Sequence, residues 1–340
     1  MSNGLSRFNY YLDKIEVQLQ QAARERNPGL WLYSNDLRTP MFMLQALCRL
    51  YGSMHNQKKF DKLKDDFKLL EDGMGAIDYY ENYAKVFLTN PNVPAPTRDY
   101  MQAQAREKIQ HVNDILQNRN WLGKDDNRLQ KIRKQLKALD WMKAKDEVKA
   151  IQSFYKEEIK EIKNFWNSSG AKFTEMEDHL HEFRRDLRWL SIYPQALQGM
   201  IQLVDTRPTK EAITKYLVDD IVHSKYNVMP ARGTNKWLLL LEKNYFYALS
   251  WMIAETGKFK DEGLQFFAVA EAVQQTEGLK HDEAMQRAFD MLSAGHNPIP
   301  SILERSSALT ATFIAERNLE ELISGVEEIS SGKTRNEATE

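Results

Sequence analysis

Apolar residues recur at every third or fourth position along almost the whole chain, and no stretch of useful length alternates with a period of two. The first spacing gives a helix one dry stripe, whereas the second is what gives a strand one dry face. The sequence therefore predicts an all-α fold. With 15 glycines and 10 prolines in 340 residues, and 42% hydrophobic side chains, the chain has the material for long elements around a substantial core.

Helices are expected at about 6–25, 39–52, 58–70, 78–88, 98–119, 125–167, 174–194, 236–255, 261–275, 281–292 and 300–329. Asp72-Gly73-Met74-Gly75 reads as a break and Gly257 as an interruption, because glycine weakens a helix interior. Thr174 with Glu177 offers a capping box. Pro91, Pro94 and Pro96 exclude helix across 89–97 and mark a stiff connection. The longest pattern, 125–167, would span about 60 Å at 1.5 Å per residue. Its apolar spacing is near that of a coiled coil, so it is expected to pack lengthwise against a long partner. Residues 205–235 read as loop-rich. The organisation predicted is a first helical half at 1–167, a second at 168–329 and a disordered polar tail at 330–340.

Charge narrows the function classes. The 47 basic and 48 acidic side chains leave a net charge of −1, so no global positive field exists to gather nucleic acid, and any polyanion site must be local. The single cysteine, Cys48, lies among Leu44, Leu47 and Leu50 and reads as a small buried apolar group. A lone thiol and an N-terminus without an apolar run point to a reducing cytoplasm. The most apolar stretch, 245–254, is too short to cross a bilayer, so no membrane span is expected.

The stretch 178–190 holds the sharpest functional signal. Leu180, Phe183, Leu187 and Leu190 form an apolar face at helical spacing. His181, Arg184, Arg185 and Arg188 follow at i, i+3, i+4 and i+7, a cationic stripe about 130° around the helix from that face. No carboxylate stands three or four residues from Arg184 or Arg188, and the two arginines are themselves a like-charge i, i+4 pair. Only Arg185 has an acid in reach on its own helix, Glu182. The neutraliser must come from another helix, as a carboxylate, or from a bound anion.

Other constellations carry less. Glu175, His179 and Glu182 share a face at i, i+4 and i+7, but no cysteine joins them and no Glu-x-x-His repeats on a facing helix, so no metal is expected. Arg133, Lys134 and Lys137 could form a second cationic wall, although a solvated helix face is the simpler reading. Trp166, Trp237 and Trp251 fit core spacing, while Trp189, four residues after Arg185, could meet a cation. The chain carries no phosphate-cradling glycine loop, nucleophile elbow or His-Glu-x-x-His, so neither enzyme activity nor a cofactor is expected.

Two places share a layout: an arginine early in a helix, an apolar helix, a glycine, then an aspartate. They are Asn35-Asp36-Leu37-Arg38 with Gly73 to Asp78, and His181 to Arg188 with Gly257 to Asp261. This layout resembles the CHAD (conserved histidine α-helical domain) family, whose two pseudo-symmetric helical bundles each carry a His-x-x-Arg-(Arg/Lys) helix followed by Leu-Gly-x-x-x-Asp. The resemblance implies a basic groove holding inorganic polyphosphate or a similar phosphate-rich anion. His181, Arg184, Arg185 and Arg188 would line it, with Arg38 aligned to Arg184. The sequence departs from the family where Asn35 replaces the first histidine, Phe42 the last arginine of the first copy, and Thr256 the leucine before Gly257. Neither Gly73 nor Gly75 keeps the four-residue step to Asp78. The alternative reading is a helical scaffold or protein-interaction protein that keeps the fold and has lost the ligand.

Overall fold

The chain is all-α with one small three-stranded sheet, in a computed structural model that describes residues 3–329 except 126, 293, 294 and 296. The tail expected at 330–340 lies outside the described residues. Helix α1 (Asn3–Ala22) buries Phe8, Tyr11, Leu12, Ile15, Leu19 and Ala22 along one stripe, as its apolar period requires. The short α2 (Pro28–Ser34) is capped by the Asn27 side chain and precedes α3 (Arg38–Met54). Helices α4 (Gln57–Thr89) and α5 (Ala95–Asn118) pack on one another and, through α4, on α3. The prolines act as expected at 90–94, but Pro96 sits in the first turn of α5, where its missing N–H costs nothing.

The expected rod at 125–167 is two helices, α6 (Arg128–Lys137) and α7 (Ala144–Ser168). Periodicity runs unbroken through the gap, so it hides the turn. Packing explains it. Trp141 folds back, donating its indole N–H to the Leu136 carbonyl at 3.1 Å, and its ring meets Tyr51 and Phe8 at 5.2 and 5.8 Å between centroids. A Cβ at Gly4 would collide with that indole. The turn also delivers Glu147, in the first turn of α7, to Arg7 of α1 at 2.9 Å, both buried. Arg7 further donates to the Tyr51 hydroxyl, the Leu197 carbonyl and Asn235, so one guanidinium joins α1, α3, α7 and two loops.

Neither expected glycine break occurs. Helix α4 runs through Gly73 and Gly75, and α10 (Lys243–Glu277) runs through Gly257. These glycines let neighbours approach: Val112 at Gly73, Arg38 at Gly75, Arg184 at Gly257 and Met176 at Gly263. Close packing outweighs the helix-interior penalty of about 1 kcal/mol.

Before α8 (Glu182–Ala196) the chain makes a π-helical turn, Met176–His181, in place of the expected capping box. The His179 Nδ1 stands 3.1 Å from the Thr174 N–H there. Beyond α8 come β1 (Ile201–Val204), the loop-rich segment with the one-turn α9 (Asp219–Val222), and β2 (Trp237–Glu242). Helices α11 (His281–Leu292) and α12 (Ile299–Ala315) and β3 (Ile323–Glu328) complete the chain. Strands replace the expected helix at 237–242 and at 323–328. Strand β2 is central, parallel to β1 with Ile201 opposite Leu239, and antiparallel to β3 with Leu239 opposite Val326. A continuous apolar run such as Trp237-Leu238-Leu239-Leu240-Leu241 suits a central strand as well as a buried helix. Which it becomes depends on distant partners: Leu239 pairs with Ile201, 38 residues before it, and with Val326, 87 residues after it. One hydrophobic core runs continuously through both halves of the chain.

Candidate anion-binding site

Helices α3 and α8 lie side by side and run in the same direction. Phe42 meets Trp189 at 6.1 Å, and further along Arg49 donates to the Tyr193 hydroxyl at 3.1 Å. Their beginnings bring Arg38 to the same end of the pair as Arg184 and Arg188. The turn before α3 is shaped by Asp36, whose backbone is left-handed at φ 55° and whose carboxylate accepts from the Thr39 N–H and hydroxyl.

Arg38 and Arg184 are held in matching ways. Each guanidinium lies on a glycine of the next long helix; a Cβ at Gly75 would stand 2.7 Å from Arg38 Nη2, and one at Gly257 3.0 Å from Arg184 Nε. Each Nε–H is taken by a residue four positions before that glycine: the Glu71 carboxylate for Arg38 at 2.8 Å, and the Ile253 carbonyl for Arg184 at 3.2 Å. An aspartate follows each glycine by about one turn. Asp78 accepts from Arg38 at 3.2 Å, and Asp261 acts on Arg184 electrostatically.

The match ends at the acid. Arg38 has two carboxylate partners and Arg184 has a carbonyl, which satisfies a donor but not a charge. Burial pulls the Arg184 guanidinium below its ordinary pKa, with Asp261 opposing. Arg188 is the least compensated. Among the described residues no hydrogen bond or ion pair engages its guanidinium, which lies over the Phe42 ring at 4.6 Å. Burial, then the guanidiniums of Arg184 and Arg38, lower its pKa; Glu71 and the Tyr226 phenol oppose them. Both arginines stay protonated, and Arg188 is left a half-buried charge without an ion-paired carboxylate among the described residues.

The other stripe residues face different surroundings. Arg185 is exposed and pairs with Glu182 on its own helix. The His181 Nδ1 lies 3.0 Å from Glu177 Oε2. The cation on Trp189 is Arg49, 5.1 Å from the ring, rather than Arg185. In the proposed second wall, Arg133 is neutralised by Asp13 and Glu16 of α1 at 2.6 and 3.0 Å. His179, near Thr174, and Glu182, on Arg185, are engaged elsewhere, and no cluster of three ligating side chains gathers among the described residues. Cys48 is buried, and burial pushes its thiol pKa well up. Among the described residues no helix is long and apolar enough to cross a membrane.

No family model, curated protein or solved structure matches this chain.

Sequence spacing did not reveal Glu71 and Asp78 as partners of Arg38, Phe42 as the surface under Arg188, or Gly75 and Gly257 as seats for guanidiniums. The only trace was the shared order of arginine, glycine and aspartate in the two halves.

Proposed function

We propose that the chain is a non-enzymatic, cytoplasmic, anion-binding helical module that holds a phosphate-bearing ligand at the shared end of α3 and α8. The supporting observation is Arg188, a half-buried guanidinium over Phe42 that has no ion-paired acid among the described residues and lies within electrostatic reach of two other guanidiniums. A phosphoryl group would relieve that repulsion and accept charge-assisted hydrogen bonds from Arg188 and from the NH2 groups of Arg184. His181, Arg185 and Arg38 lie nearby in sequence or space, and their acid partners give them the smaller share. The CHAD resemblance implies a phosphate-rich ligand, polyphosphate or a similar anion, and so supports the phosphoryl part of this reading. The matching seats of Arg38 and Arg184 support an origin of the two halves by duplication.

Titrating the protein calorimetrically with orthophosphate and with long-chain polyphosphate, at low and high salt, tests this reading. Binding should weaken as salt rises and should be lost in Arg184→Ala with Arg188→Ala. Absence of binding, or binding indifferent to that double substitution, refutes it. The scaffold reading has its own support: Glu71 and Asp78 already occupy Arg38, as ligand loss in the first copy would allow.

A further inference from the structure

The turn that carries Tyr226 is tied to α8, which bears Arg184 and Arg188, and to α10, which bears the Gly257 seat of Arg184. Gln195 of α8 donates to the Val228 carbonyl at 2.8 Å. The buried Asn227 donates to the Ile221 carbonyl at 2.7 Å and accepts from the Ser250 hydroxyl of α10 at 2.6 Å. Ser250 stands three residues before Ile253, about 4.5 Å along the helix axis, and the Ile253 carbonyl holds Arg184. Ser224 accepts from the Tyr226 N–H at 3.3 Å and completes the turn. These bonds fix the backbone while Tyr226 itself stays 72% exposed. A large ring held out in water by a tied-down turn contributes little to the core. Its phenol is within electrostatic reach of Arg188, and the Lys225 ammonium stands 5.2 Å over its ring.

The charge on offer suits a small ligand. Arg184 and Arg188 together match one phosphoryl dianion. Around them stand acids: Glu71 and Asp78 on Arg38, and Asp261 beside Arg184. A long polyanion leaving the arginine pair would meet these carboxylates, whereas a compact phosphomonoester would not. A ligand with a planar ring next to its phosphate would use both the guanidiniums and the exposed phenol.

Resting on the anion-binding reading, we infer that the ligand is a nucleoside monophosphate, its phosphoryl group on Arg184 and Arg188 and its base stacked on Tyr226. Base stacking on an aromatic side chain contributes about tenfold or more in affinity. The whole chain is titrated calorimetrically with adenosine monophosphate, ribose 5-phosphate, orthophosphate and long-chain polyphosphate, as the parent and as Tyr226→Ala and Tyr226→Phe. Adenosine monophosphate should bind about tenfold more tightly than ribose 5-phosphate. Tyr226→Ala should erase that difference without changing the affinity for ribose 5-phosphate, and Tyr226→Phe should retain it. Equal affinities, a preference indifferent to Tyr226→Ala, or tighter binding of polyphosphate overturn the inference and leave the anion site standing. If none of the four compounds binds, both readings fall.

Discussion

Replacing Arg188 with methionine should make the ligand-free protein more stable, which is the reverse of what loss of a half-buried side chain normally does. Methionine keeps the unbranched apolar stem that packs along α8 and removes the charge. Lost with the charge are the contact over Phe42, about 0.5–1 kcal/mol, and the attraction of the Glu71 carboxylate. Relieved are the like-charge pair with Arg184, a few tenths of a kcal/mol, the repulsion from Arg38, and the partial desolvation of a guanidinium that no acid meets. Exchanging poorly compensated buried charge for packed apolar atoms is often stabilising by ~1 kcal/mol or more, and about 1 kcal/mol is the expected net gain. With an unfolding entropy of about 2.1 cal/mol/K per residue, a chain of 340 residues then melts about 1.4 °C higher. Ligand reverses the order. At a phosphate concentration 100 times Kd the parent gains about 2.7 kcal/mol, roughly 4 °C, and the variant little. Thermal unfolding followed by calorimetry in a phosphate-free buffer, with and without added orthophosphate, reads both effects. A variant that melts below the ligand-free parent, or that phosphate stabilises as much as the parent, refutes the reasoning.

Two further expectations follow from the same seam. Gly257→Ala places a methyl group 3.0 Å from Arg184 Nε, pushing the guanidinium off the Ile253 carbonyl; phosphate affinity should fall about tenfold while the far-ultraviolet circular dichroism of the helices is kept. Unchanged affinity would show that the glycine seat does not position Arg184. Asp186 is held up by burial, then by the nearby carboxylates, against Arg49 and Arg185, with its carboxyl at about 6 against an ordinary 3.8. Because the folded protein keeps this proton while the unfolded chain loses it, the Asp186 contribution to stability falls as pH rises from about 4 to about 6. Asp186→Asn should match the parent below about pH 4 in denaturant unfolding and exceed it above about pH 6. An equal difference at both ends would contradict that assignment.

Much of the helical architecture was legible because burial of one stripe per helix is a local demand: the buried faces of α1 and α7 are the apolar positions of the sequence, read at 3.6 residues per turn. The break at 138–143 was not legible. Leu136, Leu139 and Met142 continue the apolar period, and only the fit of Trp141 beneath Gly4 requires the chain to turn. Gly73, Gly75 and Gly257 lie inside helices for a related reason. Their cost to a helix is a property of the residue itself, while the room they make for Val112, Arg38 and Arg184 is a property of the neighbour.

By itself, then, the sequence determined that this protein is built from amphipathic helices, and that Arg184 and Arg188 find no carboxylate on their own helix. Both are short-range facts, set by spacing along one element. Tertiary structure alone decided how those charges are met. It brought Glu71 and Asp78 to Arg38, a backbone carbonyl to Arg184, and to Arg188 an aromatic face but, among the described residues, no ion-paired acid. It also turned the 237–242 run into a strand, because β1 and β3 supply hydrogen-bond partners there that no local pattern encodes. Electrostatic compensation and strand pairing depend on which distant groups arrive within a few ångströms, and that is settled only when the helices pack.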